Sequence, residues 1–339
     1  MAVRQATHAG SWYTEDSLKL DRELQGWLDN VPASVAQVEP PGTQTRIPVP
    51  GGVRAIIGPH AGYSYSGPNA AFAYKCINPQ GVKRVFLLGP SHHVYLDKCA
   101  LSQCREYETP LGNIPLDLDV MQELRTKGEW KSMSRQVDED EHSLEMHLPY
   151  ISKVFGQSAK LVPILVGNLS PDREAYYGRL LAPYLADAEN LFIVSSDFCH
   201  WGSRFRYTYY RALTPDGKQP TGRVMHLGTR GGIPHGTPIW ESIRRLDSDG
   251  MQAVAQMDHR AFSRYLDETE NTICGRHPIG VLLACINELY PEGAHADETR
   301  GQQGPRLCFV KYDQSSKAVC PTDSSVSYAS AYLHLPSSD

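Results

Sequence analysis

Imidazoles at His60 and His92, an acid and an imidazole at Asp197 and His200, and a thiol at Cys274 could together hold a metal ion or move a proton. His60 ends the run Arg54-Ala-Ile-Ile-Gly-Pro-His60, and His92 follows Arg84-Val-Phe-Leu-Leu-Gly-Pro-Ser. Asp197 and His200 follow Leu191-Phe-Ile-Val-Ser-Ser. Short aliphatic and aromatic runs of this kind read as buried strands of a parallel sheet. Ligands of open α/β sheets collect just beyond the carboxyl ends of such strands. The three runs therefore predict one meeting point at a sheet edge, with His60 and His92 in equivalent places on adjacent strands. Adjacent side chains of an extended segment point opposite ways, so His93 is assigned a separate place from His92.

Cys274 lies in Asn271-Thr-Ile-Cys274-Gly-Arg-His277-Pro-Ile-Gly280, just ahead of an apolar helical pattern. A thiol at a helix N-terminus is drawn toward thiolate, the form that binds metal or attacks an electrophile. The plainer reading is a tight Cys-Gly turn with a buried thiol. Two imidazoles with a thiolate suit copper, iron or zinc. Magnesium and calcium ask for oxygen ligands and are excluded. Asp197 can fix the tautomer of His200, leaving that ring to act as a base; alternatively it caps the turn that follows. His142 and Glu145 are three residues apart, which puts them on one helix face, read as solvated and charged, with a place lining the cleft as the alternative. Arg204-Phe-Arg206-Tyr-Thr-Tyr-Tyr-Arg211 mixes guanidiniums with aromatics. Such a patch holds a phosphate by bidentate contact and stacking, or else packs with its arginines along the surface.

The elements that would position these groups are legible as periodic runs. Helices are expected over 15–30, 68–77, 117–127, 171–186, 240–256, 259–267 and 278–289, with another opening at Asp138. Strands are expected at 53–58, 84–89, 99–102, 160–166 and 191–196. Two late strands, 306–312 and 325–334, should pair antiparallel at a sheet edge. The stretches 32–52 and 214–238 are rich in Pro, Gly, Ser and Thr and read as loose insertions. The expected architecture is a single α/β domain over residues 1–339, with a mixed central sheet and helices on both faces.

The 33 basic and 38 acidic side chains leave a formal charge of -5, no electrostatic basis for binding nucleic acid or an acidic membrane. No apolar run is long enough to span a bilayer. The first residues carry no hydrophobic leader, which predicts a cytoplasmic protein, with a nuclear pool in addition. Eight cysteines are scattered without a Cys-x-x-Cys pair. That spacing favours small buried thiols over disulfides or a zinc knuckle.

Six segments in order resemble the Memo family, named for mediator of cell motility. They are His8-Ala-Gly-Ser-Trp12-Tyr, Gly-Pro-His60-Ala-Gly-Tyr, Gly-Pro-Ser-His92-His, Asp138-Glu-Asp-Glu-His-Ser-Leu-Glu-Met-His-Leu-Pro-Tyr, Ser-Asp197-Phe-Cys-His-Trp-Gly and Asn271-Thr-Ile-Cys-Gly-Arg-His-Pro-Ile-Gly. The resemblance implies a fold like the class III extradiol dioxygenases, which are non-haem iron enzymes. It implies that His60, His92 and Cys274 bind the metal, that His200 matches the dioxygenases' acid–base histidine, and that Asp197 lies beside it. It further implies copper or iron, redox chemistry and a link to cell motility. An adaptor that binds phosphotyrosine or acidic peptides through Trp12, Tyr65 and Arg204 in the same cleft is the alternative. Ring cleavage of catechols ranks below both, because Cys274 stands where the dioxygenases have a carboxylate.

Overall fold

The computed structural model describes residues 2–214, 220–228, 236–294 and 304–336. Among these, nine strands form one mixed sheet: β1 (Ala55–Gly58), β2 (Arg84–Pro90), β3 (Ala100–Leu101), β4 (Lys131–Ser132), β5 (Lys160–Val166), β6 (Asn190–Ser195), β7 (His200–Trp201), β8 (Arg306–Gln314) and β9 (Ser325–His334). The order is β7-β9-β1-β6-β2-β5-β3-β4, with β8 also on β9. β1, β6, β2 and β5 run parallel. Their side chains are buried nearly throughout, as the unbroken apolar runs require when helices cover both faces. β9 joins β1 antiparallel and takes β8 on the same strand, so the late pair forms as expected.

One expectation is corrected. The strands that deliver His60 and His92 are not neighbours, because β6 lies between β1 and β2 and pairs with both. The crossover from β1 to β2 leaves a gap one strand wide, and a later strand of the chain fills it. The consequence favours the site: three adjacent carboxyl ends now carry His60, the Ser195–Asp197 segment and His92.

Helices α1 (Ser17–Asp29), α2 (Tyr63–Lys75), α3 (Leu118–Lys127), α4 (Arg135–Asp140), α5 (His142–Glu145), α6 (Leu148–Phe155), α7 (Pro171–Ala186), α8 (Ile239–Ala255), α9 (His259–Thr269) and α10 (Arg276–Leu289) cover the sheet. α1 is capped by Asp16, which accepts the Lys19 amide at 2.8 Å, and it buries Leu20, Leu24 and Leu28. α2 begins at Tyr63, ahead of the expected Pro68, which lies inside the helix. The helix expected to open at Asp138 is instead broken in three. Glu141 is extended, with φ -84 and ψ 116, and its side chain caps α5. The stretch 32–52 is packed rather than loose: Ser34–Ala36 pairs with Gln44–Arg46, and Val35, Ile47 and Val49 are buried. Within 214–238, Pro220–His226 pairs with Tyr209–Leu213; residues 215–219 and 229–235 of that stretch lie outside the described residues.

Candidate metal centre

His60 follows the Gly58-Pro59 end of β1, and its backbone N–H donates to Asp197 Oδ1 at 2.9 Å. Its Nδ1 lies 2.7 Å from Ser195 Oγ. The Ser195 hydroxyl donates in turn to the Ser143 carbonyl at 2.7 Å. With that proton committed, Nδ1 of His60 must be the donor, and Nε2 keeps its lone pair. Nε2 sits 3.2 Å from Cys274 Sγ. His92 is held the same way by a different acceptor. Its backbone N–H donates to Glu141 Oε2 at 2.7 Å, and its Nδ1–H to Oε1 at 2.9 Å. Both rings thus present Nε2 as the free nitrogen, the tautomer that an acceptor behind a metal-binding imidazole selects.

Potential ligand atoms form two overlapping groups, His60 with His92 and His142, and His60 with Asp197 and Cys274; within each, the atoms lie within 4.8 Å of one another. His60 belongs to both. Its ring centroid is 5.2 Å from that of His92, and His142 stacks on His92 at 4.4 Å. His142 is therefore a member of the cluster, not of a solvated face. Glu145, its expected exposed companion, is fully buried. There it pairs with Arg4 Nη1 at 2.7 Å and His8 Nδ1 at 2.8 Å, and accepts from the Tyr13 hydroxyl at 2.8 Å. Of the acids in Asp138-Glu-Asp-Glu-His-Ser-Leu-Glu145, Asp138, Glu141 and Glu145 thus turn inward to particular partners, while Asp140 stays exposed.

Cys274 precedes Gly275, the cap of α10. Its sulfur accepts the Asp197 backbone N–H at 3.3 Å. Burial pushes the thiol well above its ordinary value, and the Asp197 charge adds to that effect. The helix terminus therefore does not make a free thiolate here; a bound cation would have to displace the proton. Gly275 donates its N–H to Ser196 Oγ at 3.1 Å. A Cβ at 275 would lie 2.3 Å from Ser196 Cβ and 2.4 Å from the Ser195 carbonyl. Gly275→Ala is expected to drive Cys274 away from His60 and weaken metal binding by about tenfold or more, as disturbed supporting contacts do. Competition with a chromophoric chelator measures this; unchanged affinity would contradict it.

Asp197 does not hydrogen-bond His200 among the described residues. Burial raises its carboxyl to about 7, although the His60 and Ala61 amides oppose the shift. The His200 amide donates to Thr272 Oγ1 at 2.8 Å. Burial, helped by His92 and Arg204, pulls its ring down to about 4, and Nε2 is buried without a partner. Trp12, Tyr65 and Arg204 line one cavity of about 380 Å³ together with Phe205. Its wall meets the cluster at Trp12, 4.6 Å from the His142 ring, and meets His200 at Phe205, 5.1 Å from that ring.

These environments set an acid response for the metal-free protein. Burial first, then neighbouring charge, takes His142 to about 3; burial takes His147 to about 3 and, as above, His200 to about 4, all from 6.5. Below 6.5 the unfolded chain binds more protons at these three rings, so stability falls as pH drops. Glu141 and Glu145 stand at about 2; burial opposes their charge, and bonds from His92 to one and from His8, with the Arg4 charge, to the other outweigh it. Their contribution is complete above 4.5 and lost as pH falls toward 2. Asp197 and Asp247, raised by burial to about 7 and about 6, act oppositely, their contribution fading as pH rises through those values. Burial raises Asp138 and Glu39 as well. It also lowers His60, so four imidazoles outweigh these acids across the window. The urea midpoint is expected to decline steadily from pH 6.5 to 4. A flat or rising midpoint would contradict this assignment.

A mixed α/β sheet whose carboxyl edge gathers imidazoles with defined tautomers beside a thiol defines an α/β protein with a candidate metal site. A family model described as Memo-like protein matches residues 4–332. Zebrafish protein MEMO1 is 45% identical over 336 residues, covering 98% of each chain. Human protein MEMO1 is 45% identical over 337 residues with the same coverage. The Caenorhabditis elegans memo-1 homolog is 40% identical over 334 residues, 98% of this chain and 83% of the relative. The chain belongs to the Memo-like protein family.

Proposed function

We propose that this protein binds one copper or iron ion through His60 Nε2, His92 Nε2 and Cys274 Sγ and uses it in redox chemistry. The observation that supports the reading is the matched tautomer of the two imidazoles, each imposed by an acceptor on Nδ1. A set of two imidazoles and one sulfur fits copper, iron or zinc and disfavours hard cations. A bound copper or iron ion would supply one-electron chemistry at an open coordination position. The chain's own groups do the rest. Glu141 and Ser195 hold the rings, Asp197 titrates near neutrality beside the thiol, and His200 keeps an unpaired ring nitrogen for a proton. Redox signalling tied to cell motility is the setting that the family resemblance implies. Metal analysis of untagged protein purified without oxygen, followed by titration with Cu(I) and Fe(II), tests the reading. One tightly bound ion per chain is expected; no resident metal and only weak binding of either ion would overturn it.

A second reading has its own support in the exposed aromatics of the cleft. Trp12 and Tyr65 are 38% and 61% exposed, and Arg204 stacks over Phe205 at 4.4 Å. A phosphotyrosine or acidic peptide would find stacking and one guanidinium there. Titration with a phosphotyrosine peptide and its unphosphorylated twin decides it, equal affinity removing the idea.

A further inference from the structure

Two guanidinium groups lie at the opposite edge of the sheet and take no part in the metal centre. There, at the amino ends of β1, β2 and β6, a cavity of about 930 Å³ opens between the 46–54 segment and the turns at 78–82 and 188–189. Arg46 leaves the short hairpin and Arg54 leads into β1, and both line this space. Among the described residues neither side chain has an ion-pair partner, and Arg54 Nε is shielded from solvent with no hydrogen bond at all. The acid on the wall, Glu189, is taken by Lys83. Burial lowers the Arg54 guanidinium below its ordinary value, and Asp187 only partly offsets that through longer-range attraction.

A buried guanidinium N–H without an acceptor is rare and calls for an ion, a water or a ligand. The planar fork of arginine matches phosphate oxygens two at a time. Gly52 and Gly81 hold φ of 78 and 83, and a Cβ at either would meet nothing within 4 Å. The turns therefore leave the concavity open instead of filling it. Asn78 and Gln80 add neutral donors on the same wall, and the volume is within the range of small-molecule sites.

We propose that this cavity is a second ligand site, in which Arg46 and Arg54 together hold the phosphate of a small phosphorylated molecule. The site is independent of the metal centre, which lies beyond the other ends of the same strands. The probe is inorganic pyrophosphate, titrated calorimetrically at matched ionic strength into the metal-stripped full chain. Wild type and Arg204→Gln, which removes the guanidinium of the other cleft, are both expected to bind it saturably. Arg54→Gln and Arg46→Gln should each weaken binding by about tenfold or more, the usual loss of a charge-assisted hydrogen bond. Arg46 is exposed, so its variant reports even where the Arg54 variant folds poorly. Saturable binding that survives both substitutions, or that disappears with Arg204→Gln, would overturn the proposal. So would binding to phosphatidylserine vesicles without binding to pyrophosphate, since that would make the source a lipid surface. Copper or iron binding by Arg54→Gln and Arg46→Gln should remain at the wild-type level, which separates this result from the fate of the metal reading.

Discussion

Cys274→Ser is expected to lower Cu(I) affinity by about a hundredfold or more, because the soft donor that selects such an ion is removed. The substitution changes little else in shape, and the Asp197 amide that donates to Sγ at 3.3 Å can donate to a hydroxyl. Anaerobic competition against a chromophoric chelator gives the affinity directly. Cys285→Ser, which alters a fully buried thiol of the core, serves as the comparison and should leave copper affinity near wild type. His142→Ala resolves which of the two overlapping groups the ion uses. With His60, His92 and Cys274 as ligands it should lose about tenfold or less, the effect of a neighbour that supports ligands from outside. A larger loss for His142→Ala than for Cys274→Ala would instead favour the three-imidazole group. An unchanged affinity in Cys274→Ser would remove the sulfur from the site.

Arg4→Met is expected to destabilise the fold by about 3–5 kcal/mol, the loss typical of breaking a buried ion pair from one side. The side chain is completely buried. Nη1 pairs with Glu145 at 2.7 Å, while Nε and Nη2 donate to the carbonyls of Asp138 and Glu141 at 3.0 and 3.1 Å. Asp138, which also accepts from Tyr107 at 2.6 Å, would be left without a cation, and Glu145 would keep only His8. Urea unfolding followed by tryptophan fluorescence measures the loss. A change below about 1 kcal/mol would mean that these carboxyls are neutral or that water reaches them. Arg4→Lys should fall between the two, since it keeps the charge but not the fork. The contact matters beyond stability, because the Glu141 carbonyl held by Arg4 belongs to the residue that fixes the His92 ring. Metal affinity of the folded fraction should therefore fall as well.

The sequence made the sheet edge legible because its signals are local. Apolar runs ending at Gly58, Pro90 and Ser195 mark strand ends without any knowledge of partners. Their neighbours are a non-local matter, which is why β6 between β1 and β2 was not foreseen. The same limit hid Arg4. Its acids lie 134 and 141 positions away in sequence, at Asp138 and Glu145, and nothing in its immediate segment announces them. His142 was misplaced for a related reason. Helical spacing puts it on one face with Glu145, but α5 is only four residues long, and the break at Glu141 decides where each side chain points. In 32–52, composition suggested looseness, whereas the register of a short hairpin and three buried aliphatics determine its packing. Proline and glycine counts report how a chain turns and not whether it is anchored.

The imidazoles of His60 and His92 and the sulfur of Cys274 must grip one ion for the account to stand. X-ray absorption at the metal edge of untagged, anaerobically prepared protein tests this most directly. The spectrum should show one sulfur at about 2.3 Å and imidazole nitrogens near about 2.0 Å, as in thiolate–imidazole sites, with the sulfur shell absent in Cys274→Ser. A shell of nitrogen and oxygen alone in the wild type, unchanged by that substitution, would contradict it.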